Sequence, residues 1–120
     1  MSLKILLVED NDLAQRLGVM LLTSLKHQVD KASTGNEALE KFFNVEYDLV
    51  FMDIGLPDMD GLEVTRRIRE RNQTTPIIAL TAHDEGAKKQ DALAAGMSDY
   101  LVKPITAENA QEIFTKWIKH

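Results

Sequence analysis

The sequence predicts a three-layer α/β sandwich, a parallel five-stranded sheet with helices on both faces. Three observations predict it. Short β-rich apolar runs alternate along the chain with longer segments of helical period. The runs at 4–8, 49–52 and 77–80 are continuous instead of alternating, which suits strands buried on both faces. The chain has 120 residues, 44% of them apolar, which fits one domain burying roughly two-thirds of its unfolded surface.

The first strand is Lys4-Ile5-Leu6-Leu7-Val8. Glu9-Asp10-Asn11-Asp12 follows it, and Asp10 or Asp12 there fits as a cap for the first helix. A second strand at 28–32 is more polar and belongs at an edge. Thr34-Gly35-Asn36-Glu37 has the spacing of a capping box, and Ala38, Leu39, Phe42 and Phe43 after it form a buried face. Leu49-Val50-Phe51-Met52 and Ile77-Ile78-Ala79-Leu80 read as central strands. Between them Asp60 caps a third helix, on which Glu63 with Arg67 and Arg66 with Glu70 are spaced as i,i+4 pairs. The fourth helix, from about 84 to 95, has a mostly alanine inner face, with Gly86 near its start and Gly96 as its stop. Small side chains bury little area, so this helix is the one most easily displaced. Tyr100-Leu101-Val102 is a short last strand. Thr106 caps a fifth helix whose stripe is Ala110, Ile113, Phe114, Trp117 and Ile118.

Five βα units joined by right-handed crossovers leave few topologies, and the flavodoxin-like order 2-1-3-4-5 fits best. Its switch point lies between the first and third strands, and ligands bind there, beyond the carboxyl ends of the strands.

Composition excludes several classes of function. There is no cysteine, so disulfides, thiol catalysis and Cys-based zinc sites are ruled out. Against 19 acids stand 14 Lys and Arg, a formal charge of −5, which disfavours direct binding of nucleic acid or an anionic membrane. No apolar run approaches the ~20 residues of a membrane span, and Met1-Ser2-Leu3-Lys4 does not begin a secretory signal. The expectation is a single cytoplasmic domain over 1–120, with 1–3 and 120 read as additions to the natural chain. Arg66, Arg67, Arg69 and Arg71 form a solvated helix face tied to acids.

The polar groups that interrupt the apolar strands all stand at their carboxyl ends. Glu9 and Asp10 follow the first strand, Asp53 the third, Thr81-Ala82 the fourth and Lys103-Pro104 the fifth. Glu9, Asp10 and Asp53 would face one another across the switch point and repel. A divalent cation resolves that conflict, and an oxygen-only donor set favours Mg²⁺ or Mn²⁺. Mg²⁺ held by one or two carboxylates commonly binds phosphate oxygens, so a phosphoryl substrate is the natural third party.

Each residue also has a plainer reading. Asp12 alone fits a cap better than a ligand. Lys103 fits as a structural ion-pair partner of Asp53. A β-branched hydroxyl such as Thr81 at a strand end needs no special reason. Tyr100 fits as a core aromatic with a wet tip, and Trp117 as a core or partner-facing residue. His27, His83 and His120 show no ligand spacing and read as surface residues. Asp58 and Asp60 read as turn and cap, with no part in the site.

Four segments together resemble the receiver domains of two-component response regulators: 5–10 with its acidic pair, Asp-Leu-Val-Phe-Met-Asp-Ile-Gly-Leu-Pro-Asp-Met-Asp-Gly at 48–61, 76–82, and Gly-Met-Ser-Asp-Tyr-Leu-Val-Lys-Pro at 96–104. The resemblance implies that Asp53 is the phosphoacceptor, attacking a partner's phosphohistidine. It implies Mg²⁺ held by Asp10, Asp53 and the Gly55 carbonyl, with Glu9 acting mainly through a bound water. Lys103 would pair with Asp53 and then with a phosphoryl oxygen. Thr81, through its hydroxyl, and Ala82, through its backbone N–H, would take the other oxygens. Tyr100 matches the family's switch aromatic, coupled to Thr81, and the switching face would be the fourth helix, fifth strand and fifth helix. A cis peptide is implied before Pro104. Gly55 and His83 stand where the family tunes phosphoryl lifetime, Gly55 being shorter than many relatives' side chains there.

The same resemblance implies a histidine kinase or histidine phosphotransfer domain as partner, and a monomer or a weak dimer dependent on phosphorylation. It further implies intrinsic self-phosphorylation and dephosphorylation. The segments 76–83 and 95–100 look most like receivers of hybrid histidine kinases; a stand-alone regulator is the alternative. One rival is a haloacid-dehalogenase-type phosphohydrolase with Asp10 as nucleophile, although the chain has no room for a cap domain. A flavodoxin-like cofactor binder is a second, disfavoured because the acidic loop after the first strand would repel phosphate. A receiver-like module that has lost phosphorylation is a third.

Overall fold

A computed structural model describes residues 2–82 and 88–118. Its elements alternate in order: β1 (Lys4–Val8), α1 (Asp12–Ser24), β2 (Gln28–Ala32), α2 (Gly35–Asn44), β3 (Leu49–Asp53), α3 (Gly61–Arg69), β4 (Ile77–Thr81), α4 (Lys88–Ala95), β5 (Asp99–Val102) and α5 (Ala107–Trp117). The five strands form one sheet in the order β2-β1-β3-β4-β5, and every pairing is parallel. This is the flavodoxin-like arrangement that the spacing of the apolar runs predicts.

Side-chain alternation explains why the central runs are continuously apolar. Leu6, Val8, Val50, Met52, Ile77 and Ala79 point to one face and meet Ala38 and Phe42 of α2, Val64 and Ile68 of α3, and Ala92 of α4. Ile5, Leu7, Leu49, Phe51, Ile78, Leu80 and Leu101 point to the other, against Leu22 of α1 and Ala110, Ile113 and Phe114 of α5. Each large side chain buried this way contributes about 1.5–3 kcal/mol. Both faces of the central strands are covered, so their apolar runs continue almost to the strand ends, while the edge strand β2 still carries Asp30 and Lys31.

Several local expectations need correction. The cap of α1 is Asn11, whose side chain accepts the Ala14 N–H at 2.8 Å; Asp12 is the first helical residue and pairs with Arg16 at 3.2 Å. Thr34 caps α2, but Glu37 reaches one residue further back than a capping box requires and accepts the Ser33 N–H at 2.7 Å. Phe43 is 41% exposed and lies under the Arg71 guanidinium, 4.9 Å from its ring centre, so only Phe42 of the pair faces the core. Glu63 meets both Arg67 and Arg66, at 3.1 and 3.4 Å, so Arg66 reaches back one turn instead of forward to Glu70. His27 is half-buried, not a surface residue: its Nδ1 accepts the Leu3 N–H at 3.0 Å and its ring packs edge-on against Phe114.

In α4, Ala92 and Ala95 are buried while Leu93 is half exposed, which matches a lightly packed alanine face. The helix ends at Gly96, whose φ of +110° a side chain would strain. The proposed start of this helix at 84–87, with Gly86, lies outside the described residues, as do His83 and His120.

Candidate functional site

Strand ends bring the site together. Glu9 is the first residue past β1, Asp53 ends β3, Thr81 ends β4, and Lys103 is the first residue past β5. Register keeps their ends level: Val8 pairs with Met52, Asp53 with Leu80, and Thr81 with Val102. The Lys103 backbone N–H donates to the Thr81 carbonyl at 2.8 Å, which prolongs the ladder by one bond and aims the lysine side chain back over the sheet edge.

Glu9 is 2% exposed, and a carboxylate so buried needs partners. Its Oε1 lies 3.0 Å from Lys103 Nζ, and its Oε2 accepts the Asn11 N–H at 3.1 Å. Asp53 is 7% exposed; Oδ2 lies 3.2 Å from Lys103 Nζ and Oδ1 accepts the Gly55 N–H at 3.1 Å. Asp10 is exposed, yet it brings a carboxylate oxygen within 4.8 Å of oxygens from Glu9 and Asp53. Two buried carboxylates thus share one ammonium, with a third carboxylate beside them. Burial pushes the Asp53 carboxyl above the ordinary aspartate range, and the Glu9 carboxyl adds to the rise; Lys103 and the Gly55 amide pull the other way. Burial alone would lower the Lys103 ammonium, but its hydrogen bond to Glu9 and the charges of Asp53 and Glu9 outweigh it, so the group is held above its ordinary value.

Thr81 is fully buried, and its Oγ1 has no hydrogen-bond partner among the described residues. A buried hydroxyl without a partner is uncommon and costs about 1–3 kcal/mol. Ala82 follows it at the surface. Tyr100, on β5, is 37% exposed with Lys89 Nζ 4.2 Å from its ring centre, so its side chain faces outward in this conformation. Gly55 is exposed, and a Cβ built there would meet nothing within 4 Å. The Lys103-Pro104 peptide bond is cis. His83, the other residue assigned to lifetime tuning, lies outside the described residues.

The donor set fits a hard divalent cation: clustered carboxylates, uncompensated charge and no nitrogen or sulfur ligand. It also fits a phosphoryl group, since Lys103 and the partnerless Thr81 hydroxyl both offer donors at the same edge.

Two supporting roles are missing from the reading of the sequence, which does not single out Gln15 and takes Asp58 as a turn residue only. Gln15, 3% exposed, donates from Nε2 to the Glu9 carbonyl at 2.9 Å and to the Ala32 carbonyl and Ser33 Oγ at 3.2 Å, which ties the acidic loop to the end of β2. Asp58 reaches out of the loop after β3 to the start of α2. Gln15 stands on the inner side of α1, where an amide amid apolar neighbours is the one visible signal of such a role.

Comparison with known proteins adds three observations. Residues 5–115 match the family model described as response regulator receiver domain. The histidine-protein kinase BarA of Escherichia coli K12 is 35% identical over 119 residues, covering 98% of this chain and 13% of that protein; the transcriptional regulatory protein ResD of Bacillus subtilis is 43% identical over 103 residues, 86% of this chain and 42% of ResD. The chain therefore spans less than half the length of these relatives. Among solved structures, the receiver domain of the sensor histidine kinase PA1611 from Pseudomonas aeruginosa, with magnesium coordinated in its active-site cleft, superposes with a TM-score of 0.89 at 38% identity, covering 98% of each chain.

Proposed function

This chain belongs to the response regulator receiver domain family of two-component phosphorelay signalling, and we propose that Asp53 is its phosphoacceptor. The carrying observation is that Asp53 stands buried at the convergence of Glu9, Asp10 and Lys103, with the Thr81 hydroxyl partnerless at the next strand end. In this reading an Asp53 carboxylate oxygen attacks phosphorus in line, the P–N bond to a partner's histidine breaks, and the imidazole leaves with the electron pair. Lys103 exchanges its contact with Asp53 for one with a phosphoryl oxygen, which keeps the charge of the new aspartyl phosphate paired. The Thr81 hydroxyl and the Ala82 N–H take the remaining oxygens. When Thr81 moves toward the phosphoryl group, space opens behind it for Tyr100 to turn inward. The face over α4, β5 and α5 then changes, and the small buried side chains of α4 make that displacement cheap.

Asp10, Asp53 and the Gly55 carbonyl would hold Mg²⁺, with Glu9 contributing through water; Mn²⁺ is chemically suited to the same donors. Bound there, the cation supplies charge neutralisation at the phosphoryl oxygens. The open space over Gly55 supports access for a hydrolytic water and hence a short phosphoryl lifetime; an unchanged dephosphorylation rate in Gly55→Asn or Gly55→Met would remove this part.

The donor is a histidine kinase or a histidine phosphotransfer domain, and the parent a hybrid kinase in preference to a stand-alone regulator. Next to the site, a cleft of about 350 Å³ is lined by Leu7, Leu17, Gly18, Pro104 and Ile105, and Leu13, Leu17 and Met20 leave an exposed apolar stripe on α1. A stripe of that kind marks a partner surface. No described helix is long and apolar enough to cross a membrane. Mapping the phosphoryl group after treatment with acetyl phosphate tests the assignment, Asp10 being the nucleophile of the dehalogenase-type alternative.

A further inference from the structure

We propose that Asp58 is a positioning residue for the cation site: by clamping the first two backbone amides of α2 it fixes the loop between β3 and α3, and with it the Gly55 carbonyl. The inference rests on the reading that Asp10, Asp53 and Gly55 hold a divalent cation.

The loop of residues 54–60 has no regular structure of its own; besides the packing of Ile54, Leu56 and Met59, hydrogen bonds hold it at its base and at its tip. At its base, the Gly61 N–H donates to the Ile54 carbonyl at 2.7 Å, and a Cβ on Gly61 would run into the backbone oxygen of Asp53. The base is therefore closed directly behind the phosphoacceptor. At its tip, Asp58 Oδ1 accepts the Gly35 N–H at 2.7 Å and Oδ2 accepts the Asn36 N–H at 2.9 Å. Oδ1 also accepts the Met59 N–H at 3.0 Å. The third amide of α2, that of Glu37, goes to Thr34 Oγ1 at 3.1 Å. Thus α2 has two caps, a local one from Thr34 and a distant one from a residue 22 to 23 positions along the chain.

Ile54, Leu56 and Met59 of the loop pack against the core, and the distant cap adds a polar tie from its tip to α2. The contact is close, since a Cβ on Gly35 would lie 2.5 Å from Met59 Cγ. Gly55 lies between base and tip, exposed and without a side chain to anchor it. Its N–H is held by Asp53 Oδ1 at 3.1 Å, and the course of its carbonyl then depends on how the two ends of the loop are fixed. A carbonyl ligand displaced by even part of an ångström loses much of its value to Mg²⁺, which demands near-ideal octahedral geometry. Outer residues that orient metal ligands commonly matter by tenfold or more.

The test titrates Mg²⁺ into the wild type, Asp58→Ala, Asp58→Asn and Thr34→Ala, following backbone amide shifts by NMR, with a urea denaturation curve for each. Thr34→Ala removes the local cap of the same helix and leaves the tether. The expected results are a roughly tenfold weaker Mg²⁺ dissociation constant for Asp58→Ala, partial recovery in Asp58→Asn, which keeps one acceptor oxygen, and a wild-type constant in Thr34→Ala despite its lower stability. An unchanged constant in Asp58→Ala, or equal weakening in Thr34→Ala, would overturn the proposal by reducing Asp58 to a helix cap. If Asp58→Ala does not fold, Asp58→Asn decides: a constant equal to wild type overturns the proposal, and a weaker one supports it. Wild-type protein that binds no Mg²⁺ would instead remove the cation reading itself.

Discussion

The Lys103 ammonium lies 3.2 Å from Oδ2 of Asp53, a residue 50 positions earlier in the chain. The same ammonium lies 3.0 Å from Glu9 Oε1, so one cation serves two buried carboxylates while Asp10 stands beside them. The edge is short of positive charge: where the strands could have ended in neutral residues it gathers acids, and among the described residues the Thr81 hydroxyl has no partner. Stability is given up at this edge.

Asp53 is raised in the folded protein by burial and by Glu9. A carboxyl raised on folding binds more protons in the folded state, so stability falls as pH rises from its unfolded value through its folded one. At neutral pH without divalent cation, Asp53→Asn should therefore be more stable than wild type, by about 1 kcal/mol or roughly 4 °C in Tm. Added Mg²⁺ should raise the Tm of the wild type more than that of the variant. Lys103 works in the same sense but higher on the scale: its raised value gives stability fully present below the ordinary lysine range and lost only as pH climbs through the folded value. Thermal melts with and without Mg²⁺ check both.

Thr81→Val keeps the branched shape and removes the partnerless hydroxyl. Urea denaturation should show a gain of about 1 kcal/mol, because a desolvated group without a hydrogen bond disappears. The same variant should accept a phosphoryl group more slowly and fail to turn Tyr100 inward. Lower stability in Thr81→Val would mean that the hydroxyl has a partner in the resting state.

Leu17 is 55% exposed and borders the cleft beside the site. Leu17→Asp should change stability by no more than about 0.5 kcal/mol, as exposed substitutions do. Phosphorylation by acetyl phosphate should be unaffected, whereas transfer from a cognate phosphohistidine protein should slow by roughly tenfold, the loss of one good apolar contact. Equal slowing with both donors would place Leu17 in the chemistry instead of the docking surface.

His27 supplies an acid limit. Burial lowers its pKa, and its Nδ1 is committed as acceptor to the Leu3 N–H. The unfolded state then binds the proton more readily, and stability should fall as pH drops below the ordinary value of 6.5 toward the lowered one. His27→Gln, which can still accept from Leu3, should flatten that slope between pH 7 and 5. Asp99 acts lower on the scale. Burial pushes its carboxyl up, but hydrogen bonds from the Trp117 indole, the Tyr100 N–H and Lys116 outweigh this and hold it below the ordinary range, so its share is lost only at more acidic pH.

Much of this arrangement is legible in the linear chain because burial writes itself into strands. Ile5–Val8, Leu49–Met52 and Ile77–Leu80 are apolar on both faces almost to the sheet edge, so the first polar residue after each is marked by position alone. Caps are less legible, because Asp10, Asn11 and Asp12 all have suitable side chains, and only the entry angle of α1 selects Asn11. Phe43 misleads because a pair of adjacent aromatics cannot both face inward at 100° per residue, and Arg71 gives the outer one a partner from α3's end that no local pattern contains. The partners of Gln15 and Asp58 are hidden for a similar reason, although Gln15 itself is marked as an amide on the inner side of α1. Each acts on backbone groups of another element, and backbone groups leave no trace in residue identity.

The most direct measurement is to phosphorylate the domain with acetyl phosphate in the presence of Mg²⁺ and locate the acid-stable, base-labile acyl phosphate by mass spectrometry after borohydride trapping, in wild type, Asp53→Asn and Asp10→Asn. The expected result is a single label on Asp53, abolished in Asp53→Asn and slowed but still on Asp53 in Asp10→Asn. Label on Asp10, retained when Asp53 is replaced, would contradict it.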